Sequence, residues 1–164
     1  MANYSLLCAK IIKITALVLA FLLLVKTFLC FLLSFAILEE PPKEWPQRLK
    51  DDCYPRWYGW FSLILNSFGV VVYYYMYFGI LNTNKRNLYI GLVGVTGYLT
   101  TAVLTHLVMW AQGAKPQTMI KLNWIGTGIS VICSPLSYLH YRRIIANERN
   151  EVMNTEKLTQ TKLK

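Results

Sequence analysis

The run Glu39-Glu-Pro-Pro-Lys-Glu-Trp-Pro-Gln-Arg-Leu-Lys-Asp-Asp-Cys-Tyr-Pro-Arg-Trp57 is the only long polar stretch ahead of the C-terminal tail. It holds five of the eight acidic residues and four prolines, Pro41, Pro42, Pro46 and Pro55. Charge and proline both oppose a membrane-buried helix: one is costly in hydrocarbon, and the other breaks the backbone ladder. On either side the composition inverts. Ile14 to Leu38 carries a single charge, Lys26, and Tyr58 to Leu81 carries none. At 1.5 Å per residue, each run can cross the ~30 Å hydrocarbon core. The polar stretch is therefore a loop joining two membrane spans.

Working outward, Asn82-Thr-Asn-Lys-Arg-Asn87 is a short polar turn, Leu88 to Trp110 is a third apolar run, and Leu122 to Tyr141 is a fourth. The expected fold is all-α: an integral membrane four-helix bundle of antiparallel spans over about 11–38, 58–81, 88–110 and 122–141. Residues 1–10 form a short cytoplasmic N-terminus. Residues 142–164 form a polar tail, either a short helix or without fixed structure. A chain of 164 residues makes one domain.

Composition agrees. Hydrophobic residues make up 55% and charged residues only 15%, against a usual ~25% charged. The net charge of +9 suggests nucleic acid at first sight. The charges sit in small groups beside apolar runs, however, with no basic face among exposed aromatics, so membrane flanking accounts for them. Lys10 and Lys13 resemble a signal-peptide n-region, but Ile14–Leu38 far exceeds an h-region of ~7–15 residues and reads as a retained first span.

Two spans carry small residues at helical spacing. Gly91, Gly94 and Gly97, followed by Thr101 and Thr105, share one face of span 3, and Gly126, Ser130 and Ser134 recur every fourth residue in span 4. Such stripes let helix backbones approach closely in a bilayer. They predict that spans 3 and 4 pack through these faces, with a kink in span 4 at Pro135.

Lys26 is the sharpest anomaly. It lies ~18 Å from Leu38 along a helix, where an ammonium costs at least ~2.5–3.5 kcal/mol. No span contains an acidic residue, so no internal ion pair offsets that cost. The side chain either snorkels, bonds Asn66, Ser67, Tyr98 or carbonyls freed by Pro135, or meets an acid in a partner protein's span. Lys26 and Asn66 are thus the candidate intramembrane contacts. His106 and His140 fall near opposite membrane faces, which excludes a shared haem and leaves each as an interfacial hydrogen-bonding group.

With the N-terminus inside, ten Lys/Arg lie on inner segments and six on outer ones, or eight against six once Lys162 and Lys164 at the far end of the tail are set aside. This favours N-in/C-in. All five tryptophans then fall outside, while most tyrosines fall inside, which fits two interfacial belts. Trp45, Cys53, Trp57 and Trp60 form the candidate outer recognition loop. Cys53 is the loop's sole cysteine, Cys8 is a palmitoylation candidate, and the Asn3-Tyr-Ser5 sequon faces inside and is unused. No CxxC pair, metal-ligand spacing, P-loop or nucleophile elbow occurs. No cofactor, metal or nucleic acid is expected.

Four spans over residues 6–143, short loops, and Trp57-Tyr-Gly-Trp60 following Cys53 resemble small tetraspan proteins of the MARVEL-like and claudin-like kind, including insect junction tetraspans. The chain departs from claudins in its shorter loop and single loop cysteine. The resemblance implies membrane organisation, junction assembly or vesicle traffic without catalysis. The expected partners are the lipid bilayer and other integral membrane proteins, or a second copy of the chain. The alternative function is a small transporter or channel-forming subunit with a polar path along Lys26, Asn66 and the span 2 tyrosines.

Overall fold

A computed structural model describes residues 2–38, 56–111 and 117–162. These form four helices and no strand: α1 (Ala2–Leu38), α2 (Arg56–Leu81), α3 (Lys85–Ala111) and α4 (Gln117–Lys162). Three of them contain segments long and apolar enough to cross a membrane: Leu7–Phe35, Trp57–Leu81 and Lys85–Ala111.

Every helix outruns the span expected from hydropathy, because apolar composition marks where lipid begins and not where hydrogen bonding ends. α1 is already helical from Ala2. α4 continues through the polar tail to Lys162, well beyond the short tail helix considered from sequence, and carries Pro135 within it. Proline withholds the N–H that the carbonyl four residues earlier would accept.

The turn between α2 and α3 is built by three residues. The Asn84 N–H donates to the Gly79 carbonyl at 2.9 Å and the Thr83 N–H to the Ile80 carbonyl at 3.4 Å. Thr83 adopts a φ of 53°. This is a Schellman closure with the left-handed residue just past the helix end. Asn84 Oδ1 then accepts the Arg86 and Asn87 N–H groups at 3.0 and 3.2 Å, capping α3. A β-branched residue is costly in the left-handed region. Thr83 is held there in part by Lys13, whose ammonium donates to Thr83 Oγ1 at 3.0 Å.

The helices follow one another around a ring, α1–α2–α3–α4, with α4 closing back on α1. All neighbours are antiparallel. Ser34 meets Ser62 and Phe21 meets Tyr77 across α1 and α2. Gly79 meets Leu88 across α2 and α3, and His106 meets Asn123 across α3 and α4. Ala16 meets Cys133 across α1 and α4. The buried centre comprises Ala16, Ala20, Leu23, Val72, Tyr73, Met76, Ile80, Leu88, Val95, Tyr98, Cys133 and Ile144.

The small-residue stripes pack differently from expectation. A Cβ on Gly91 would lie 2.7 Å from the Met76 backbone, and one on Gly94 would lie 2.6 Å from the Val72 side chain. Span 3 therefore uses its glycines against α2. Gly97 faces open space. On α4, Gly126 faces Lys26 of α1, Ser130 bonds Tyr73 of α2 at 2.7 Å, and the Ser134 hydroxyl is buried without a partner. The expected pairing of α3 and α4 through these stripes is corrected. The reason is geometric: a stripe of small residues specifies close approach but not the neighbour that fills it.

α4 buries Asn123, Gly126, Ser130, Cys133, Ser137, His140 and Ile144 at intervals of three and four, one helical face. Its exposed face carries Trp124, Ile125, Val131, Ile132, Tyr138 and Leu139. Small and polar residues lie inside and large apolar ones outside, the reverse of a helix in water.

Candidate functional site

Lys26 is placed by α1 so that its side chain crosses to α4. The crossing needs Gly126, because a Cβ there would lie 2.9 Å from both Cε and Nζ of Lys26. The ammonium donates to Asn123 Oδ1 at 2.7 Å. Asn123 Nδ2 lies 3.3 Å from His106 Nε2, and His106 Nδ1 bonds the Ala102 carbonyl one turn back.

The directions of these bonds follow from chemistry. A carbonyl only accepts, so His106 Nδ1 carries the proton and Nε2 is left to accept from the Asn123 amide. Asn123 Oδ1 is then free to accept from Lys26. The chain Lys26–Asn123–His106–Ala102 runs in one direction with no opposed donors. Lys26, Asn123 and His106 come from α1, α4 and α3, so one polar chain ties three of the four helices.

This placement corrects the sequence reading of Lys26. The side chain is bonded within the bundle, but to Asn123 and not to Asn66, Ser67, Tyr98 or carbonyls near Pro135. His106 is buried within the bundle, 8% exposed, and hydrogen-bonded through both ring nitrogens. Nothing in the sequence marks Asn123, which stands at the polar start of the fourth apolar run, where an asparagine reads as an ordinary interfacial residue.

Asn66 belongs to a second cluster. Its Nδ2 reaches the Ser62 carbonyl at 2.8 Å, Ser62 Oγ at 3.0 Å and Ser34 Oγ at 3.3 Å. The two serine hydroxyls are 2.9 Å apart, and Tyr98 donates to Asn66 Oδ1 at 3.5 Å. Tyr98 lies over Gly69, where a Cβ would come within 2.6 Å of its ring, and meets Tyr73 edge-on at 5.6 Å. Lys26, Thr27, Tyr73, Tyr98, Asn123 and Gly126 line one crevice between the two clusters, and it leaves no space for a water molecule. The polar groups around it are hydrogen-bonded within the bundle.

Trp45 and Cys53 lie outside the described residues. Trp57 and Trp60 stand exposed on the first turns of α2. With Trp110 and Trp124, also exposed, they gather at the end of the bundle formed by the start of α2, the end of α3 and the start of α4. Cys8 is exposed, and Cys30 and Cys133 are buried free thiols. Among the described residues, no three His, Cys, Asp or Glu side chains converge as metal ligands would.

A scan against family models, a search of curated proteins and a search of solved structures each return no match to this chain.

Proposed function

We propose that this chain is a four-span integral membrane protein, with both termini inside, that acts by lateral assembly with other membrane proteins or with itself rather than by catalysis. One observation carries the reading: α4 turns its polar and small residues inward and its large apolar residues outward. In water that arrangement exposes Ile125, Val131, Ile132 and Leu139 while burying Asn123, Ser130, Ser137 and His140. In lipid it satisfies both faces. α4 thus joins the three more apolar helices as a span, although its buried face lowers its mean hydropathy.

Mutually satisfied polar clusters, with no water-sized void between them, favour a structural role over conduction. The exposed tryptophans at one end fit an interfacial belt. Trp57 ends the 39–57 loop in sequence, and that loop offers the outer contact surface, in a junction, a vesicle or as an auxiliary subunit.

Topology is checked with a membrane-impermeant maleimide in a Cys8→Ser, Cys53→Ser background. Asn82→Cys and Thr155→Cys should react from one side, and Ala111→Cys only from the other. Thr155→Cys reacting on the Ala111 side would mean that α4 does not cross. Assembly is checked by cross-linking the full chain in its native membrane, then purifying it in mild detergent. We expect a stoichiometric complex with an integral membrane protein or a second copy, weakened by deleting residues 43–52. A lone monomer after cross-linking would sink the proposal.

A further inference from the structure

At the end of the bundle away from the tryptophans, α1, the α2–α3 turn and α4 enclose a cleft of about 430 Å³. Its volume lies in the range of small-ligand sites, ~300–1,000 Å³. Lys10 and Lys13 line it from α1, Thr83 from the turn, and His140, Arg143, Glu148 and Glu151 from α4.

Two residues that line the cleft each hold a buried nitrogen atom without a hydrogen-bond partner, His140 Nε2 and Arg143 Nη1. His140 is only 8% exposed. A buried polar atom without a partner is costly, and more so when charged. Arg143 only donates, so beside the cleft its guanidinium has a donor to spare for an acceptor group.

The charge balance points to an anion. Lys13 spends donors on the Leu81 carbonyl at 3.4 Å and Thr83 Oγ1 at 3.0 Å, which fixes its ammonium at the cleft wall. Glu148 is already paired with Lys85 of α3 at 2.6 Å. That leaves Lys10, Lys13 and Arg143 against Glu151, a positive surplus. Arginine with lysines is a phosphate-recognition set, combining forked donors with point charges. The cleft lies level with the α2–α3 turn, where the exposed apolar faces of the bundle give way to charge.

We propose that this cleft binds a phosphate group, presented as the headgroup of an anionic phospholipid in the adjoining leaflet. The lipid as source rests on the four-span reading, whereas the phosphate site rests on the cleft alone. The maleimide experiment tests the first separately.

The test is calorimetric titration of the full chain in neutral detergent with dioctanoyl phosphatidic acid, dioctanoyl phosphatidylcholine and inorganic phosphate. Phosphatidic acid should bind saturably, at least about tenfold tighter than phosphatidylcholine, since one charge-assisted bond is worth ~1.5–3 kcal/mol. Arg143→Gln should remove most of that difference. Lys10 and Glu151 are exposed, so Lys10→Gln and Glu151→Gln preserve the fold. The first should weaken binding severalfold, and the second should tighten it. Lys85→Gln, outside the cleft, should also weaken binding by releasing Glu148. Equal affinity for the two lipids, or unchanged affinity in both Lys10→Gln and Arg143→Gln, would overturn the site. Inorganic phosphate binding as tightly as phosphatidic acid would overturn the lipid as its source.

Discussion

Asn123→Leu is expected to be among the most destabilising single changes in the bundle, by about 3 kcal/mol. It leaves the Lys26 ammonium, now bonded to Asn123 Oδ1 at 2.7 Å, without its acceptor. It also removes the donor to His106 Nε2. Stranding a buried charge costs ~3–5 kcal/mol in proteins, while an apolar pair of similar shape is often neutral. The double variant Lys26→Leu/Asn123→Leu should therefore recover much of the loss. Its remaining deficit of ~1–2 kcal/mol belongs to His106. Lys26→Leu alone should be mild, since it removes an ammonium whose burial in lipid costs at least ~2.5–3.5 kcal/mol. Unfolding of the purified variants in one detergent gives this ordering. Asn123→Leu matching the unmodified chain, or the double variant falling below Asn123→Leu, would contradict the coupling.

The second large effect separates two glycines of the same stripe. Gly91→Leu should destabilise the α2–α3 pair by about 3 kcal/mol or more, because overpacking costs ~1–3 kcal/mol even against movable side chains. Here the obstacle is the Met76 backbone, 2.7 Å from where even the Cβ would lie. Gly97 meets nothing within 4 Å. Gly97→Ala should be neutral or stabilise by up to ~1 kcal/mol through helix propensity. Equal losses at both positions would mean that the stripe acts as a whole, against the packing described here.

Much of the architecture was legible in the chain. Pro41-Pro42 and the charges around them mark a break between apolar runs, and Asn82–Asn87 marks a short turn. From these the helical class and the antiparallel order of α2 and α3 follow. Helix ends were less legible. Lys85 and Arg86 read as loop, yet they belong to α3 because Asn84 caps it. Lys26 stood out as a site because a charge within an apolar run is conspicuous. Its partner did not, because Asn123 is 97 residues away and ordinary in its own neighbourhood.

The anion cleft shows the same division more strongly. Lys10, Lys13, His140 and Arg143 each read as a membrane-flanking residue. Their meaning changes only when α4, running antiparallel to α1, brings them to one wall and leaves His140 Nε2 and Arg143 Nη1 without partners.

What the sequence by itself determined was the solvent of each segment: hydropathy is a sum over neighbours along the chain, and the apolar runs and polar breaks need no tertiary knowledge. What only the tertiary structure decided was who meets whom. Gly91 faces Met76 rather than α4, Lys26 finds Asn123 rather than Asn66, and the α4 stripe faces α1 and α2. In a bilayer, apolar burial does not choose between helix faces, because lipid is as apolar as leucine. The choice falls to a few contacts of shape and hydrogen bonding, between residues far apart in the chain.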